Sequence, residues 1–339
     1  YLVLLQLYID MWERLRKNRK ESEKMKKVCL FLLMLVFSIS TSSKDFKYHP
    51  KTKDELKELI ENEAIYLGDI DTSAITDMSY LFIRERKKID SCGTAFQYET
   101  TKRKNFSGIG KWDTSNVTDM RGLFYNLKNF NEDISAWNTS KVEDMLSMFE
   151  DADNFNQALN NWDVSKVKTM KNMFRGAISF NQPLNKWNVS EVIDMSEMFE
   201  AAYKFNQALN SWDVSNVKDM SYMFNNAKEF NKPLDNWNVS NVEDMSHMFS
   251  NAKKFNQPIN SWNVSKVEYM DYMFDEAKSF NQSLNLWDVS NVKNMHCMFC
   301  EAKKFNQDLS MWKVQGTAYT VNIFLGSPLE NRKPKWEGQ

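Results

Sequence analysis

Residues 212–236 read W-D-V-S-N-V-K-D-M-S-Y-M-F-N-N-A-K-E-F-N-K-P-L-D-N, and Trp237 begins the same pattern again. A single short unit of this kind cannot bury its apolar face alone, whereas stacked copies can. The sequence therefore predicts a repeat solenoid. The tryptophan recurs every 25 residues nine times, at Trp112, Trp137, Trp162, Trp187, Trp212, Trp237, Trp262, Trp287 and Trp312.

Two spacings within the unit predict its secondary structure. Leu209, Trp212 and Val214 follow the spacing of a short strand, with Trp and Val on the core side. Ser215 comes before a run of apolar residues three or four positions apart, which is typical of one helix face with a serine N-cap. We therefore expect an α/β repeat solenoid with one short parallel strand and one short helix per repeat. The predicted helix face consists of Val217, Met220, Met223, Phe224 and Ala227.

The full motif is L-x-x-W-x-V-S-x-V-x-x-M-x-x-M-F-x-x-A-x-x-F-N-Q, and it covers about residues 70–326. It resembles the 25-residue repeat of BspA-like bacterial leucine-rich-repeat surface proteins. The resemblance implies a leucine-rich-repeat-like fold, export from the cell, and a role in binding or adhesion without catalytic residues. Members of that family differ in their partners, so the resemblance does not name a ligand.

The N-terminal region has the pattern of an export signal. The basic stretch Met25-Lys26-Lys27 precedes an apolar run over 28–37 and a serine-rich stretch over 38–43, so we predict a signal peptide over 25–43. Residues 1–24 are interpreted as an upstream extension. An uncleaved anchor helix is the alternative, since signal and anchor share an apolar core.

The remaining boundaries follow the repeat. Residues 44–69 are predicted as an N-terminal cap, because Thr52-Lys53-Asp54-Glu55 is a capping box that precedes an apolar helix side with Leu56, Leu59 and Ile60. Residues 70–111 are a degenerate repeat with a 17-residue insertion, and residues 112–311 are eight full repeats. Residues 312–327 are predicted as a C-terminal cap half-repeat, and 328–339 as a polar tail.

The residues on either side of each Trp are the candidate partner-binding face. The residue after each Trp is Asp or Asn, which forms either a self-satisfied polar ladder or a mildly acidic binding strip. Calcium is not favoured, because aspartates two repeats apart are too far apart to share one ion. The candidate residues are Lys111, Asp113, Asn138, Asp163, Lys186, Asn188, Asp213, Asn238, Asn263, Leu286, Asp288 and Met311.

The insertion between Phe82 and Phe106 is basic. It could meet an acidic partner, although a solvated mobile loop is the simpler interpretation. Its cations are Arg84, Arg86, Lys87, Lys88, Lys102, Arg103 and Lys104. An Asn repeated once per unit is predicted to bond the backbone of the neighbouring coil. It occurs at Asn131, Asn156, Asn181, Asn206, Asn231, Asn256, Asn281 and Asn306.

Composition and motifs narrow the possible functions. The net charge is −1, which does not suggest a nucleic-acid partner. Cys297 and Cys300 form one C-x-x-C beside His296, but zinc needs further ligands, so we expect a free or bridged surface pair and no metal site. No enzyme signature is present, and we expect no catalytic residue, cofactor or small-molecule substrate.

The predicted function is therefore an exported or cell-surface protein that binds a protein or another extracellular macromolecule through the solenoid face. An intracellular protein–protein scaffold that uses the same face is the alternative. The oligomeric state is left open.

Overall fold

The structure, a computed structural model, describes residues 45–88 and 96–336. The chain divides into two compact units, Tyr1–Asp45 and Phe46–Gln339, and every element below belongs to the second. The predicted extension over 1–24 and signal peptide over 25–43 lie outside the described residues.

The second unit is a repeat solenoid with one continuous apolar core. All residues predicted to face inward in the repeat that begins at Trp212 are buried, with 0–3% of their surface exposed. Corresponding Trp rings of successive repeats stack at centroid distances of 6.3–6.5 Å where neighbours contact. One cluster of packed side chains extends from Leu56 to Trp336. The predicted solenoid is confirmed, and we call each Trp-to-Trp repeat a coil.

The backbone of each coil is a series of tight turns, so the prediction of one helix and one strand per repeat is wrong. Residues 212–227 form turns in which an N–H bonds the carbonyl three residues earlier, for example Val217 to Val214 and Met223 to Met220. Tyr222 and Asn226 have φ values of 57° and 59°. An α-helix needs negative φ at every residue, so these two positions exclude it. Ser215 accordingly caps no helix.

Hydrogen bonds between coils come from the stretch that the sequence assigned to the helix. The N–H groups of Met220, Tyr222, Phe224 and Asn226 donate to carbonyls of the next coil at 2.8–3.0 Å. We call residues 119–126, and their counterparts at each 25-residue step up to 319–326, the ladder segments. A parallel bridge joins the first residues of neighbouring ladder segments, such as Asp219 and Asp244.

Each Trp also bonds an earlier part of the chain through its indole N–H, in most coils at a backbone carbonyl 28 residues before it. Trp212 donates to the backbone carbonyl of Leu184 at 3.0 Å, and the other Trp residues make the equivalent bond at 2.9–3.2 Å. The Asn column is structural as predicted, because each side-chain Oδ1 accepts the backbone N–H of the next Asn at 2.9–3.0 Å.

A helix packs on the core with Leu56 and Ile60, within the residues that the sequence analysis predicts as a cap. Helix α1 covers Lys53–Glu61, and the hydroxyl of its N-cap Thr52 accepts the N–H of Glu55 at 3.2 Å, as the capping box predicts. Short 3-10 turns follow at Leu67–Asp69 and Ile109–Lys111.

The insertion contains a β-hairpin, which the interpretation as a loop missed. Strand β1 (Ile83–Lys88) pairs antiparallel with β2 (Phe96–Thr100).

The C-terminal stretch 328–336 is packed, so it is not the polar tail that the sequence suggested. Trp336 has 8% of its surface exposed, lies 6.2 Å from the Trp312 ring, and donates its indole N–H to the Leu309 carbonyl at 3.0 Å. It therefore continues the Trp column by one ring beyond the last coil.

Candidate functional site

The residues that follow each Trp are exposed, but their side chains serve local turns. Oδ1 of Asp213 accepts the N–H of Ser215 at 3.1 Å, and all eight coils repeat this bond at 2.9–3.2 Å. Hydrogen bonds from Ser215 hold the pKa of Asp213 below its usual value. A turn of this kind needs Asp or Asn, which explains the residue type without any ligand. Partner binding by this strip stays a prediction. It comprises Asp113, Asn138, Asp163, Asn188, Asp213, Asn238, Asn263 and Asp288.

The residues before each Trp are exposed as well. Lys111 places its Nζ 5.1 Å from the centre of the Tyr66 ring, and Lys186 contacts Asn161 of the preceding coil. Leu286 and Met311 are 71% and 73% exposed. These two apolar side chains are therefore available to a partner at one end of the strip.

The basic insertion does not act as one cationic patch. Arg103 is buried, and its guanidinium donates to the backbone carbonyls of Ile60, Asn62 and Ile65, so its inclusion among the binding cations was wrong. Arg84 forms a salt bridge with Glu61 at 3.0 Å. Lys102 and Lys104 are exposed, and Arg86, Lys87 and Lys88 lie in β1.

A second surface, which the sequence analysis did not single out, is formed by the outward side chains of the ladder segments. We call it the ladder face. It carries the residues seven, nine, ten, thirteen and fourteen positions after each Trp, which in the coil of Trp262 are Tyr269, Asp271, Tyr272, Asp275 and Glu276. The sequence analysis placed the apolar residues of this segment and made no prediction for these positions. Stacking of coils places equivalent residues of neighbouring coils against each other.

The N-terminal part of the ladder face is neutralised by salt bridges. Arg175 contacts Glu150 at 2.7 Å and Glu200 at 2.9 Å, in the coils before and after its own. Burial alone would lower the pKa of Arg175, but the bonds to these two carboxylates outweigh burial and raise it. Arg121 likewise contacts Asp119 at 2.6 Å and Asp144 at 3.5 Å. These arginines are paired within the fold, whereas Asp151 forms no salt bridge among the described residues and burial raises its pKa.

The C-terminal part of the ladder face carries stacked rings. The rings of Tyr222 and His247 lie 4.2 Å apart and nearly parallel, and those of His247 and Tyr272 lie 4.6 Å apart. Burial lowers the pKa of His247, which favours the neutral imidazole. His296 continues the row with its ring 5.1 Å from Tyr272. Its Nδ1 is buried without a hydrogen-bond partner among the residues that the structure describes.

Three carboxylates accompany these rings. Burial raises the pKa of Asp244, Asp271 and Asp275, in the last case to about 6 with a further contribution from Glu276. Within residues 45–88 and 96–336 none of the three forms a salt bridge with Lys or Arg, although His247 lies 4.0 Å from Asp271. Asp244 accepts the N–H of Ser246 at 2.8 Å, and Asp275 accepts a hydrogen bond from Ser250. Half-buried carboxylates without a cation are costly, and an external cation would stabilise their charged forms.

The two clustered cysteines form a disulfide. Cys297 and Cys300 are bonded to each other, and both are buried, so the expected bridged pair is not at the surface. Over the described ranges, no group of three or more His, Cys, Asp or Glu residues is arranged to hold a metal ion. In the same part of the chain, no helix is long and apolar enough to cross a membrane.

The sequence profile of one family matches most of the solenoid. The family is described as "Mycoplasma protein of unknown function, DUF285", and the matches cover residues 90–209, 157–252, 181–271 and 233–336. The chain belongs to this family. The family's description states no function, so function has to be argued from the surface.

Comparisons with curated proteins and with solved structures do not indicate a function either. No curated protein matches the chain. A solved chain titled "Crystal structure of TLR13-ssRNA13 complex" aligns with 81% of this chain and with 52% of its own length, at 10% identity and a TM-score of 0.24. This chain thus spans about half the length of that solved chain, and a TM-score this low carries no argument about fold or partner.

Proposed function

We propose that the protein is a non-enzymatic binding protein that holds a macromolecular partner on the C-terminal part of its ladder face. The observation that carries the proposal is the row Tyr222–His247–Tyr272 with the half-buried Asp244, Asp271 and Asp275 beside it. The fold does not need the rings or the carboxylates of Asp271 and Asp275, because other coils place residues such as Ser, Asn, Glu or Gly at the same positions. Asp244 differs, since its position is also Asp at Asp119, Asp144, Asp194 and Asp219, where Oδ1 accepts a backbone N–H two residues later.

The chemistry of this surface favours a partner with Lys or Arg side chains. A cation over a Tyr ring gains about 0.5–1 kcal/mol at an exposed site and more when desolvated. The same cation would also neutralise carboxylates that burial otherwise destabilises. A protein segment with Lys or Arg beside apolar residues offers both contacts.

The predicted setting is part of the proposal. The signal-like stretch over 25–43 and the resemblance to BspA-like leucine-rich-repeat surface proteins support an exported adhesin or recognition protein. The alternative is an intracellular scaffold that uses the same surface. Cell fractionation decides between them: full-length protein that retains residues 25–43 and occurs only in the cytosol would contradict export.

The binding surface is tested with two variants of equal charge change. Immobilised full-length chain is titrated with peptides that contain Lys or Arg flanked by Tyr, Leu or Val. We expect D244N/D271N/D275N to lower the affinity for the tightest-binding peptide by about tenfold or more, which corresponds to about 1.4 kcal/mol of binding free energy. The control D163N/D213N/D288N changes three aspartates on the strip beside the Trp column and should leave the affinity unchanged.

Either of two results contradicts the proposal. An equal loss of peptide affinity in both variants would indicate a nonspecific response to net charge. Loss in the control variant alone would place binding on the strip that the sequence suggested.

A further inference from the structure

The hairpin of the insertion packs at the N-terminal end of the ladder face through one tyrosine. The ring of Tyr98, in strand β2, lies 6.0 Å from the ring of Tyr80 with an angle of 2° between the two planes. The Tyr98 ring also lies 5.2 Å from that of Tyr125, at an angle of 63°. Tyr80 belongs to the degenerate repeat and Tyr125 to the first ladder segment. One side chain of the hairpin therefore contacts rings from two successive repeats.

Tyr80 is the counterpart of the rings on the C-terminal part of the ladder face. It stands ten residues after the Trp position of its repeat, as do Tyr222, His247 and Tyr272. The φ value is 49° for Tyr80 and 55–57° for the other three. All four N–H groups donate to the carbonyl nine residues after the next Trp, at 2.6–2.9 Å. The four side chains thus leave equivalent backbone positions, and the contact of Tyr98 with Tyr80 is a template for a strand that covers the C-terminal row.

The C-terminal row has surface left for an added ring. Tyr222 and Tyr272 cover the two faces of the His247 ring at 4.2 and 4.6 Å, and 21% of the His247 side chain is exposed. Tyr269 and Tyr319 of the same face are 41% and 52% exposed. Edge-to-face contacts between aromatic rings are favourable, so the edges of stacked rings can receive another ring. Among the described residues the only strands are β1 and β2, which pack at the N-terminal end of this face.

The charges of this surface suit a basic strand. Asp271 and Asp275 form no salt bridge with Lys or Arg in the described part of the chain, although His247 lies 4.0 Å from Asp271. The sequence of β1, I-R-E-R-K-K, contains four basic residues and one acidic residue. The chain's own hairpin therefore combines a tyrosine with a basic strand. Because Tyr98 is already in contact with Tyr80, the occupant of the C-terminal row has to be a different hairpin.

We propose that the C-terminal part of the ladder face receives a β-hairpin of another protein, with an aromatic ring against His247 and Tyr272 and a basic strand beside Asp271 and Asp275. This inference rests on the proposed function, since it names the form of the partner at the same surface. A preformed hairpin holds its ring and its cations at fixed positions and loses less conformational freedom on binding than a linear peptide does.

The probe is a cyclic hairpin that contains the residues of β1 and β2. Ile83–Lys88 and Phe96–Thr100 are joined at both ends by Asn-Gly, which favours two-residue hairpin turns. Its affinity for immobilised full-length chain is compared with that of a linear peptide of the same composition in scrambled order. We expect the hairpin to bind about tenfold more tightly or better, because its strands are preorganised. Tyr98→Ala in the hairpin should lower its affinity by about two- to tenfold.

Substitutions in the full-length chain locate the bound hairpin. Asn172 occupies the position of His247 and Tyr272 in another coil with a φ of 58°, so the fold accepts Asn there. We expect H247N/Y272N to lower the affinity for the hairpin by about tenfold. Tyr203→Ala is the control and should leave the affinity unchanged. Tyr203 is exposed but lies outside the ladder face, where its ring contacts Lys228.

The inference and the proposed function fail in different ways. The inference alone is contradicted if linear Lys or Arg peptides bind through the carboxylates but the cyclic hairpin binds no more tightly than its scrambled control. If neither kind of peptide binds, both are contradicted.

Two further outcomes would overturn the inference. Hairpin binding that survives the double variant but is lost in Tyr125→Ala would show that the probe displaces the chain's own hairpin at the N-terminal end. Concentration-dependent self-association in sedimentation, abolished by Tyr98→Ala in the full-length chain, would identify a second copy as the partner.

Discussion

Trp212 combines three contributions at one position. Its ring is buried, it stacks on Trp187 at 6.3 Å, and its indole N–H donates to the carbonyl of Leu184, 28 residues earlier. Periodicity alone predicted the burial. It could not predict the indole hydrogen bond, because that bond depends on how far one coil is offset from the next.

Substitutions of this side chain should separate the burial of the ring from the indole hydrogen bond. We expect Trp212→Ala to lower the free energy of unfolding by about 3–5 kcal/mol through loss of buried aromatic surface. Trp212→Phe keeps a ring but removes the indole hydrogen bond to the Leu184 carbonyl, which still accepts the N–H of Trp187, so loss of this bond should cost about 0.5–1.5 kcal/mol. Asp213→Ala loses one exposed turn bond and should cost about 1 kcal/mol or less. Urea unfolding measures all three, and equal losses for Trp212→Ala and Asp213→Ala would contradict the assigned burial.

Asp275 should make stability depend on pH. Its pKa is about 6 in the folded protein because burial disfavours the charged carboxylate, against 3.8 for an ordinary Asp. The folded state therefore binds more protons than the unfolded state between these values, and stability falls as pH rises from about 4 to 6.

Asp275→Asn removes that ionisation and keeps an oxygen for the Ser250 hydrogen bond. We expect this variant to be more stable than the parent by about 1–2 kcal/mol at pH 7, after a discount for partial solvent exposure, and to be equally stable near pH 3.5. Urea unfolding at the two pH values checks this. A variant less stable than the parent at pH 7 would show that the ionised carboxylate is satisfied in the fold.

The ladder segment is the element that sequence reasoning misassigned. Val217, Met220, Met223, Phe224 and Ala227 are all fully buried, as the helical spacing required. A chain of three-residue turns places the same positions inward, so the apolar pattern cannot distinguish the two backbones. The signal that distinguishes turns from a helix is at positions such as Asn226 and Gly176, where residues that tolerate positive φ recur.

Two adjacent alanines distinguish these backbones. Ala201 has a φ of 53°, whereas Ala202 is fully buried and lacks positive φ. Ala201→Gly should raise the free energy of unfolding by about 1 kcal/mol, since glycine has no penalty at positive φ. Ala202→Gly should lower it by about 1 kcal/mol through loss of a buried methyl group and a more flexible unfolded chain. A helix over this segment would make both substitutions destabilising.

For the whole molecule, the sequence specified the repeat, the core and the cap helix, but not the surfaces. The 25-residue period predicted the repeat and its buried core, and the capping box at Thr52 predicted the helix that follows it. The ladder face depends on which outward residues stack between coils, such as Arg175 with Glu150 and Glu200. Residues 25 positions apart become neighbours only once the backbone between them is known. The same holds for Arg103, whose burial depends on carbonyls about 40 residues earlier in the chain.

Because each coil contacts mainly its neighbours, stability should be lost from the ends. Trp336→Ala removes the ring that covers Trp312 and should speed amide exchange over residues 312–327, with little effect over 112–250. Lys335→Ala is the control and should change neither region. Uniform loss of protection along the chain would indicate a single cooperative unit without fraying ends.

The proposed surface and its proposed occupant both depend on the ladder, and one measurement observes it directly. Scalar couplings across hydrogen bonds, recorded by NMR on deuterated protein, report which amide nitrogen is bonded to which carbonyl carbon. We predict couplings from Met220 to Asp244, from Tyr222 to Ser246 and from Phe224 to Met248. Couplings within 216–228 that join each amide to the carbonyl four residues earlier would instead show a helix and contradict the turn ladder.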